Sequence, residues 1–183
     1  MQALALVSLL FSPSRSYFPR PILSTTSRLF STTPTKFPRA AVSVTVIDTH
    51  TDPVKVLLVK RANEPAKGQW SIPGGKINFG EATLTAGKRE IQEETGLTNA
   101  HILIRDRPFT ATDAISGSFH YVITQYIATT TSAAAAGKVV AGDDASDARW
   151  FGMEEIGGLV EGGVATVQLR ETLDLALEES TVK

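Results

Sequence analysis

The chain has 183 residues, 42% of them hydrophobic, and a formal net charge of −1, which suits one domain with a proper core plus an appended segment. It contains no Cys, so disulfides and thiolate zinc sites are excluded. Five of its 18 basic residues lie in residues 1–47, which hold no Asp or Glu, and the remainder sets 13 basic against 19 acidic residues, net −6. That is a poor surface for RNA or another long polyanion, which needs a basic patch.

The acid-free segment carries Arg15, Arg20, Arg28, Lys36 and Arg39, is rich in Ser and Thr, and is broken by Pro13, Pro19, Pro21, Pro34 and Pro38. This composition predicts that residues 1–39 are an organelle transit peptide preceding a domain at 40–183. Arg28-Leu29-Phe30 followed by Ser31 looks like a mitochondrial processing site, with Arg two residues before the aromatic. Mitochondria are therefore the expected destination, a plastid is the alternative, and the cytoplasm is expected if the segment does not target. The apolar run ALALVSLLF has no basic residue ahead of it, against a secretory signal. It is also about half of the roughly 20 residues that a membrane span needs, so no membrane partner is expected.

From residue 40 onward, AVSVTVI is β-branched and predicts a partly buried strand. A turn-rich loop over 48–53 leads to a second strand, 54–60. Residues 61–68 read as a loop, and Trp70-Ser71-Ile72 as a short strand entering Pro73-Gly74-Gly75, where two glycines let backbone approach a ligand closely. Arg61 and Trp70 flank this turn and are candidate substrate contacts, the first for a phosphate and the second for stacking on a ring.

The next stretch, GKINFGEATLTAGKREIQEETGL over residues 75–97, predicts a helix ended by Gly96. Positions i, i+3 and i+4 share a helix face, so Glu90, Glu93 and Glu94 project from one side, while Leu84, Gly87 and Ile91 form an apolar stripe on the other. Like charges at this spacing destabilise a helix. A hard divalent cation, Mg²⁺ or Mn²⁺, removes the conflict, and Mg²⁺ binds carboxylate oxygens together with substrate phosphates. Arg89, four residues before Glu93, is placed to pair with it.

Further on, residues 100–112 read as one long strand, 113–118 as a loop and 119–129 as another strand. Residues 129–137 are low-complexity and predict an exposed loop. Asp143 and Asp144 precede a short strand over 148–151. Glu154 and Glu155 predict a helical turn that Gly157 and Gly158 end, and Leu169, Leu173 and Leu177 mark a closing helix over 166–180. His50, His101 and His120 show no ligand spacing and read as structural. Strands and helices in this order suit an α/β sandwich with a mixed central sheet.

The pattern Gly75, five residues, Glu81, seven residues, Arg89-Glu90-Ile91, one residue, Glu93-Glu94, one residue, Gly96-Leu97 resembles the signature of the Nudix hydrolases, and every defining position is met. The resemblance implies the Nudix fold over roughly 40–180, with a catalytic loop-helix-loop. It also implies attack of water on a pyrophosphate phosphorus, with Glu90, Glu93, Glu94 and the Gly75 carbonyl on Mg²⁺ or Mn²⁺. By the same resemblance, Arg89 orients a carboxylate and Glu81 supports the ligands from behind or through water. The general base is Glu93 or one of Asp143 and Asp144. The surrounding residues look like the ADP-ribose pyrophosphatase and MutT-like branch, which implies a small nucleotide partner. ADP-ribose, cleaved to AMP and ribose 5-phosphate, is the first expectation, and a nucleoside triphosphate the alternative. A non-catalytic nucleotide sensor fits less well, because such domains usually lose signature carboxylates. RNA cap removal conflicts with the acidic domain, and a homodimer is compatible with all of this.

Overall fold

A computed structural model describes residues 37–181. The expected transit peptide lies, up to residue 36, outside the described residues. In chain order the elements are β1 (Arg39–Asp48), β2 (Lys55–Arg61), β3 (Trp70–Ser71), β4 (Gly74–Lys76), α1 (Thr83–Thr95), β5 (Ile102–Ile104), β6 (Thr110–Ser116), β7 (Phe119–Thr130), α2 (Ala133–Ala136), β8 (Ala145–Phe151), α3 (Met153–Glu161) and α4 (Leu169–Thr181). Among the described residues no helix is long and apolar enough to cross a membrane.

The strands form one mixed sheet with the central order β3-β2-β1-β7-β5, while β4 pairs with β1, β6 with β7 and β8 with β2. Among the described strands β1 and β7 run parallel, in register from Arg39↔Tyr121 to Ile47↔Thr129, and the other strand pairs are antiparallel, with an isolated parallel bridge between Trp70 and Ala165. The first strand is more buried than its weak alternation predicts. Val42 to Asp48 are all inaccessible, because β1 is central and both its faces are covered.

Period-two alternation then sorts side chains to two cores. Val42, Val44, Val46, Leu57 and Tyr126 face α1 through Ala86 and Ile91. Ile47, Val56, Leu58 and Ile127 face the other way, onto Ile156 of α3 and Leu169, Leu173 and Ala176 of α4. The expected α/β sandwich is therefore what forms, with α1 seated on one face of the sheet.

Four local expectations change. The single strand over 100–112 is two, because residues 105–109 leave the ladder. Arg105 N–H and Phe109 N–H still reach β7 carbonyls, at 2.9 and 3.0 Å, and Pro108 between them has no donor to offer. The loop expected over 113–118 shrinks to Gly117-Ser118, since Ser116 already pairs with Phe119 and two residues suffice to turn a hairpin. In the low-complexity stretch, Ser132 Oγ accepts the Ala135 N–H at 3.3 Å and starts a helical turn, α2. Ala135 is buried there, and Trp150 Nε1 donates to the Ala136 carbonyl at 2.9 Å. Finally, α3 runs through Gly157 and Gly158. The Glu155 carboxylate accepts the Gly152 N–H at 2.7 Å, and fully buried Ile156 offsets the cost of helical glycine, roughly 1 kcal/mol each.

Candidate active site

The site is built on α1 and the two loops at its C-terminal end. Gly96 ends the helix with φ 70°, and its N–H returns to the Gln92 carbonyl, as a left-handed glycine cap does. Glu90, Glu93 and Glu94 span about 100° of the helix circumference at 3.6 residues per turn. They are thus not equivalent. Glu94 falls on the sheet-facing side with Gly87 and Ile91 and is only 5% exposed. Glu90 is half-buried and Glu93 is open to solvent.

Burial pushes the Glu94 carboxyl up to about 7, helped by the neighbouring charges of Glu90 and Asp144 and opposed by the Gly74 N–H and Arg61. The opposing hydrogen bond runs from the Gly74 amide to Glu94 Oε2 at 2.8 Å. Glu90 is also raised, again chiefly by burial, against the pull of Arg89. Its carboxylate lies directly over Gly75, where an added Cβ would stand 2.6 Å from Cδ and from both oxygens. The glycine there makes room for a carboxylate.

Arg89 does more than the expected pairing with Glu93. Its Nε and Nη2 grip Glu81 at 2.9 Å each, Nη1 reaches Glu90 at 2.8 Å and Glu93 at 2.9 Å, and Nη2 also donates to the Lys76 carbonyl at 3.1 Å. This guanidinium holds the Glu81 carboxyl down at about 2, with the Asn78 N–H assisting. Among the described residues no three His, Asp or Glu side chains converge closely enough to enclose an ion, because the Arg89 fork lies between Glu90 and Glu93. The donor set nevertheless fits a hard divalent cation. It consists of carboxylates and backbone carbonyls only, with Glu94 buried among polar partners and Glu90 in a cradle kept clear by Gly75.

The flanking candidates divide. Gly142 N–H donates to the Glu94 carbonyl at 3.2 Å and Ala62 N–H to the Asp144 carbonyl at 2.8 Å, so Asp144 and the end of β2 at Arg61 meet near this end of the helix. Arg61 is held by its Nε–H donating to the Pro65 carbonyl at 2.8 Å. Asp143 takes a positive φ of 48° and its carboxylate accepts no hydrogen bond among the described residues. Trp70 is corrected to a core residue. It is 7% exposed, packs edge-on against Phe151 at 4.8 Å and is approached by Arg149 at 5.7 Å. Phe109 likewise packs into the second core, whereas Phe119 and Tyr121 lie 5.6 Å apart and half-exposed. Two participants escaped sequence reading. The Gly74 N–H was legible only as a flexible turn, and Asn63, bonded to Asp144, had no signal at all.

Gly75→Ala gives a clean separation of roles. The new methyl meets the end of a flexible side chain, so Glu90 swings aside and the fold tolerates it within about 1 kcal/mol. Misplacing that carboxylate by even an ångström should lower kcat at least about tenfold. Thermal melting and turnover measured side by side check this, and unchanged turnover would remove Glu90 from the reacting cluster.

The NUDIX domain family matches residues 37–169. The chain is 54% identical over 43 residues to an ADP-ribose pyrophosphatase of Methanocaldococcus jannaschii, a match covering 24% of this chain and 25% of that protein. It is 40% identical over 43 residues to the 8-oxo-dGDP phosphatase NUDT18 of Homo sapiens, covering 24% of this chain and 13% of the relative. The matched part thus spans a quarter or less of the length of these curated relatives. Among solved structures, the NUDIX domain of Shewanella oneidensis NrtR complexed with ADP ribose superimposes with a TM-score of 0.66 at 20% identity, over 80% of this chain and 91% of that one, a likeness of fold.

Proposed function

Because this chain belongs to the Nudix family, by a match over residues 37–169, we propose that it is a pyrophosphohydrolase and that its substrate is ADP-ribose. In the reaction, the oxygen of water attacks one phosphorus of the diphosphate and the bond from that phosphorus to the bridging oxygen breaks. The products are AMP and ribose 5-phosphate. The observation that carries the reading is the buried Glu94 carboxylate held by the Gly74 N–H beside a Glu90 seated over Gly75. A buried carboxyl beside a half-buried one, opposite glycine backbone, is arranged for phosphate chemistry more than for stability.

Glu90, Glu93, Glu94 and the Gly75 carbonyl would hold Mg²⁺ or Mn²⁺, which when bound neutralises diphosphate charge and acidifies water. The chain's own groups do the rest. Arg89 orients Glu81, Glu90 and Glu93 at once, support of the kind that metal ligands need. Arg61, whose charge opposes the rise at Glu94, would meet a substrate phosphate. For the proton acceptor, Asp144 is favoured over Asp143, since Asp144 is held by Ala62 and Asn63 while the Asp143 carboxylate accepts no hydrogen bond among the described residues. It is also favoured over Glu93, whose Oε2 is engaged by Arg89. A net charge of −6 beyond residue 47 suits a short, cation-complexed polyanion better than a long one. The targeting role of residues 1–39 is part of the same proposal and is supported by their composition.

Identity to an ADP-ribose pyrophosphatase supports the sugar-nucleotide substrate, while identity to an 8-oxo-dGDP phosphatase supports a nucleoside phosphate as second reading. The test is kcat/KM with Mg²⁺ across ADP-ribose, NADH, diadenosine polyphosphates, 8-oxo-dGTP and ordinary dNTPs. ADP-ribose should lead by at least tenfold, about 1.4 kcal/mol of differential transition-state binding. A nucleoside triphosphate leading by that margin replaces the substrate and keeps the hydrolase; no turnover of any of them returns the chain to a binding module.

A further inference from the structure

The loop before β8 is fastened to the end of α1 and to the end of β2 by a set of bonds that no signature residue explains. Val140 N–H donates to the Thr95 carbonyl at 2.9 Å and Gly142 N–H to the Glu94 carbonyl at 3.2 Å, so the loop is seated on the helix C-terminus. From the other side Ala62 N–H donates to the Asp144 carbonyl at 2.8 Å, and Ser146 Oγ donates to the Lys60 carbonyl at 3.1 Å. Ser146 is itself an extra residue in the ladder, since Lys60 faces Asp147 but Arg61 faces Ala145. Bulges of this kind re-aim side chains beside functional sites. The positive φ of Asp143 completes the redirection.

Given this, the backbone at Asp144 needs no further support. Yet Asn63 Nδ2 also donates to Asp144 Oδ1, at 2.5 Å, across 81 residues of sequence. Both side chains are exposed, where a neutral donor adds little to stability. What the bond does set is the rotamer of a carboxylate two residues beyond Gly142, whose N–H is seated on the Glu94 carbonyl. We infer that Asn63 is a positioning residue, which holds the Asp144 carboxylate at the Glu94 end of α1 in the orientation that receives the proton of the attacking water. The inference rests on the hydrolase reading above and on Asp144 as its proton acceptor.

A double-mutant cycle separates this role from a merely structural one. Asn63→Ala should lower kcat at least about tenfold, with KM within about twofold and Tm within about 2 °C. In an Asp144→Ala background the same change should add no further loss, because Asn63 acts only through Asp144. The reciprocal variant N63D/D144N restores a hydrogen bond between the two positions but moves the carboxylate to position 63. Its Tm should match wild type while its kcat stays low. Independently of turnover, the Asn63 side-chain amide resonances of the metal-free protein should move to the positions of an amide without that hydrogen bond in Asp144→Ala.

Wild-type kcat in Asn63→Ala, additive losses in the cycle, recovered kcat in the reciprocal variant, or unmoved amide resonances would each overturn the inference. A wild-type chain that hydrolyses nothing in the nucleotide panel overturns the hydrolase reading, and this inference with it. A wild type that turns over normally while Asn63→Ala equals it overturns the inference alone.

Discussion

Glu94→Gln should reduce turnover by about a hundredfold or more and, in chelator at pH 8, should make the protein more stable than wild type. The first effect follows from removing a charge that the proposed divalent ion needs; such ions supply several kcal/mol of transition-state stabilisation, at about 1.4 kcal/mol per tenfold. The second follows from burial. Glu94 has a folded value of about 7 against an ordinary 4.5, so between those values the folded chain holds a proton that the unfolded chain releases. Its contribution to stability is therefore fully present below about pH 4.5 and is lost as pH rises through 7. At pH 8 the buried ionised carboxylate costs an upper bound of about 3 kcal/mol.

Glutamine keeps the size of the side chain and an oxygen for the Gly74 N–H, and it carries no charge. Urea unfolding in chelator at pH 4.5 and pH 8 should show the two proteins alike at the lower pH and the variant ahead at the higher. Adding Mg²⁺ at pH 8 should stabilise wild type and leave the variant nearly unmoved, by mass action on the folded state. Equal stability at pH 8, or activity that survives both the substitution and chelation, would place the metal elsewhere.

Arg89→Ala should be the second large effect, of a different kind. One guanidinium serves Glu81, Glu90 and Glu93, so its removal leaves three carboxylates on one short stretch without a counter-charge. Metal-free stability should fall by several degrees of Tm, and turnover by about ten- to a hundredfold, the usual cost of losing support behind metal ligands. Arg89→Lys should not rescue it, since an ammonium cannot span Glu81 with two donors while reaching Glu90 and Glu93 with a third.

The pH dependence has the opposite sign to that of Glu94. Glu81 is held down at about 2, so the stability that Arg89 lends through it is present above pH 4.5 and disappears as pH falls toward 2. Wild type and Arg89→Ala should therefore converge on acidification. Divergence at low pH, or full rescue by Lys, would reduce Arg89 to a general surface charge.

Much of this site was legible in one dimension because its central element is local. A helix fixes the relation of residues three and four apart, so the Glu90, Glu93 and Glu94 cluster, the Arg89–Glu93 pair and the Gly96 cap follow from spacing alone. Strand alternation over β7 similarly predicts the sorting of Tyr126 and Ile127 to opposite cores. What periodicity leaves open is which side of an element meets the rest of the protein. Leu84, Gly87 and Ile91 announce an apolar stripe, and spacing puts Glu94 at its edge, but nothing in the sequence says that the packed sheet covers that edge and leaves Glu94 only 5% exposed. Trp70 alternates as readily toward a ligand as toward a core, and α3 and α4 decide it by covering that face.

The sequence by itself thus determined the chemistry of this protein: hard oxygen donors at helical spacing behind a glycine turn, on an acidic domain. Tertiary structure decided the roles within that chemistry. Burial raised Glu94 to about 7 and Glu90 with it, the Glu81 grip turned Arg89 into a hub, and the loop before β8 brought Asp144 within reach of Asn63. The physical reason is range. Helix and strand periods are set by bonds between near neighbours, whereas desolvation and cross-chain hydrogen bonds depend on which distant segments the packed sheet places side by side.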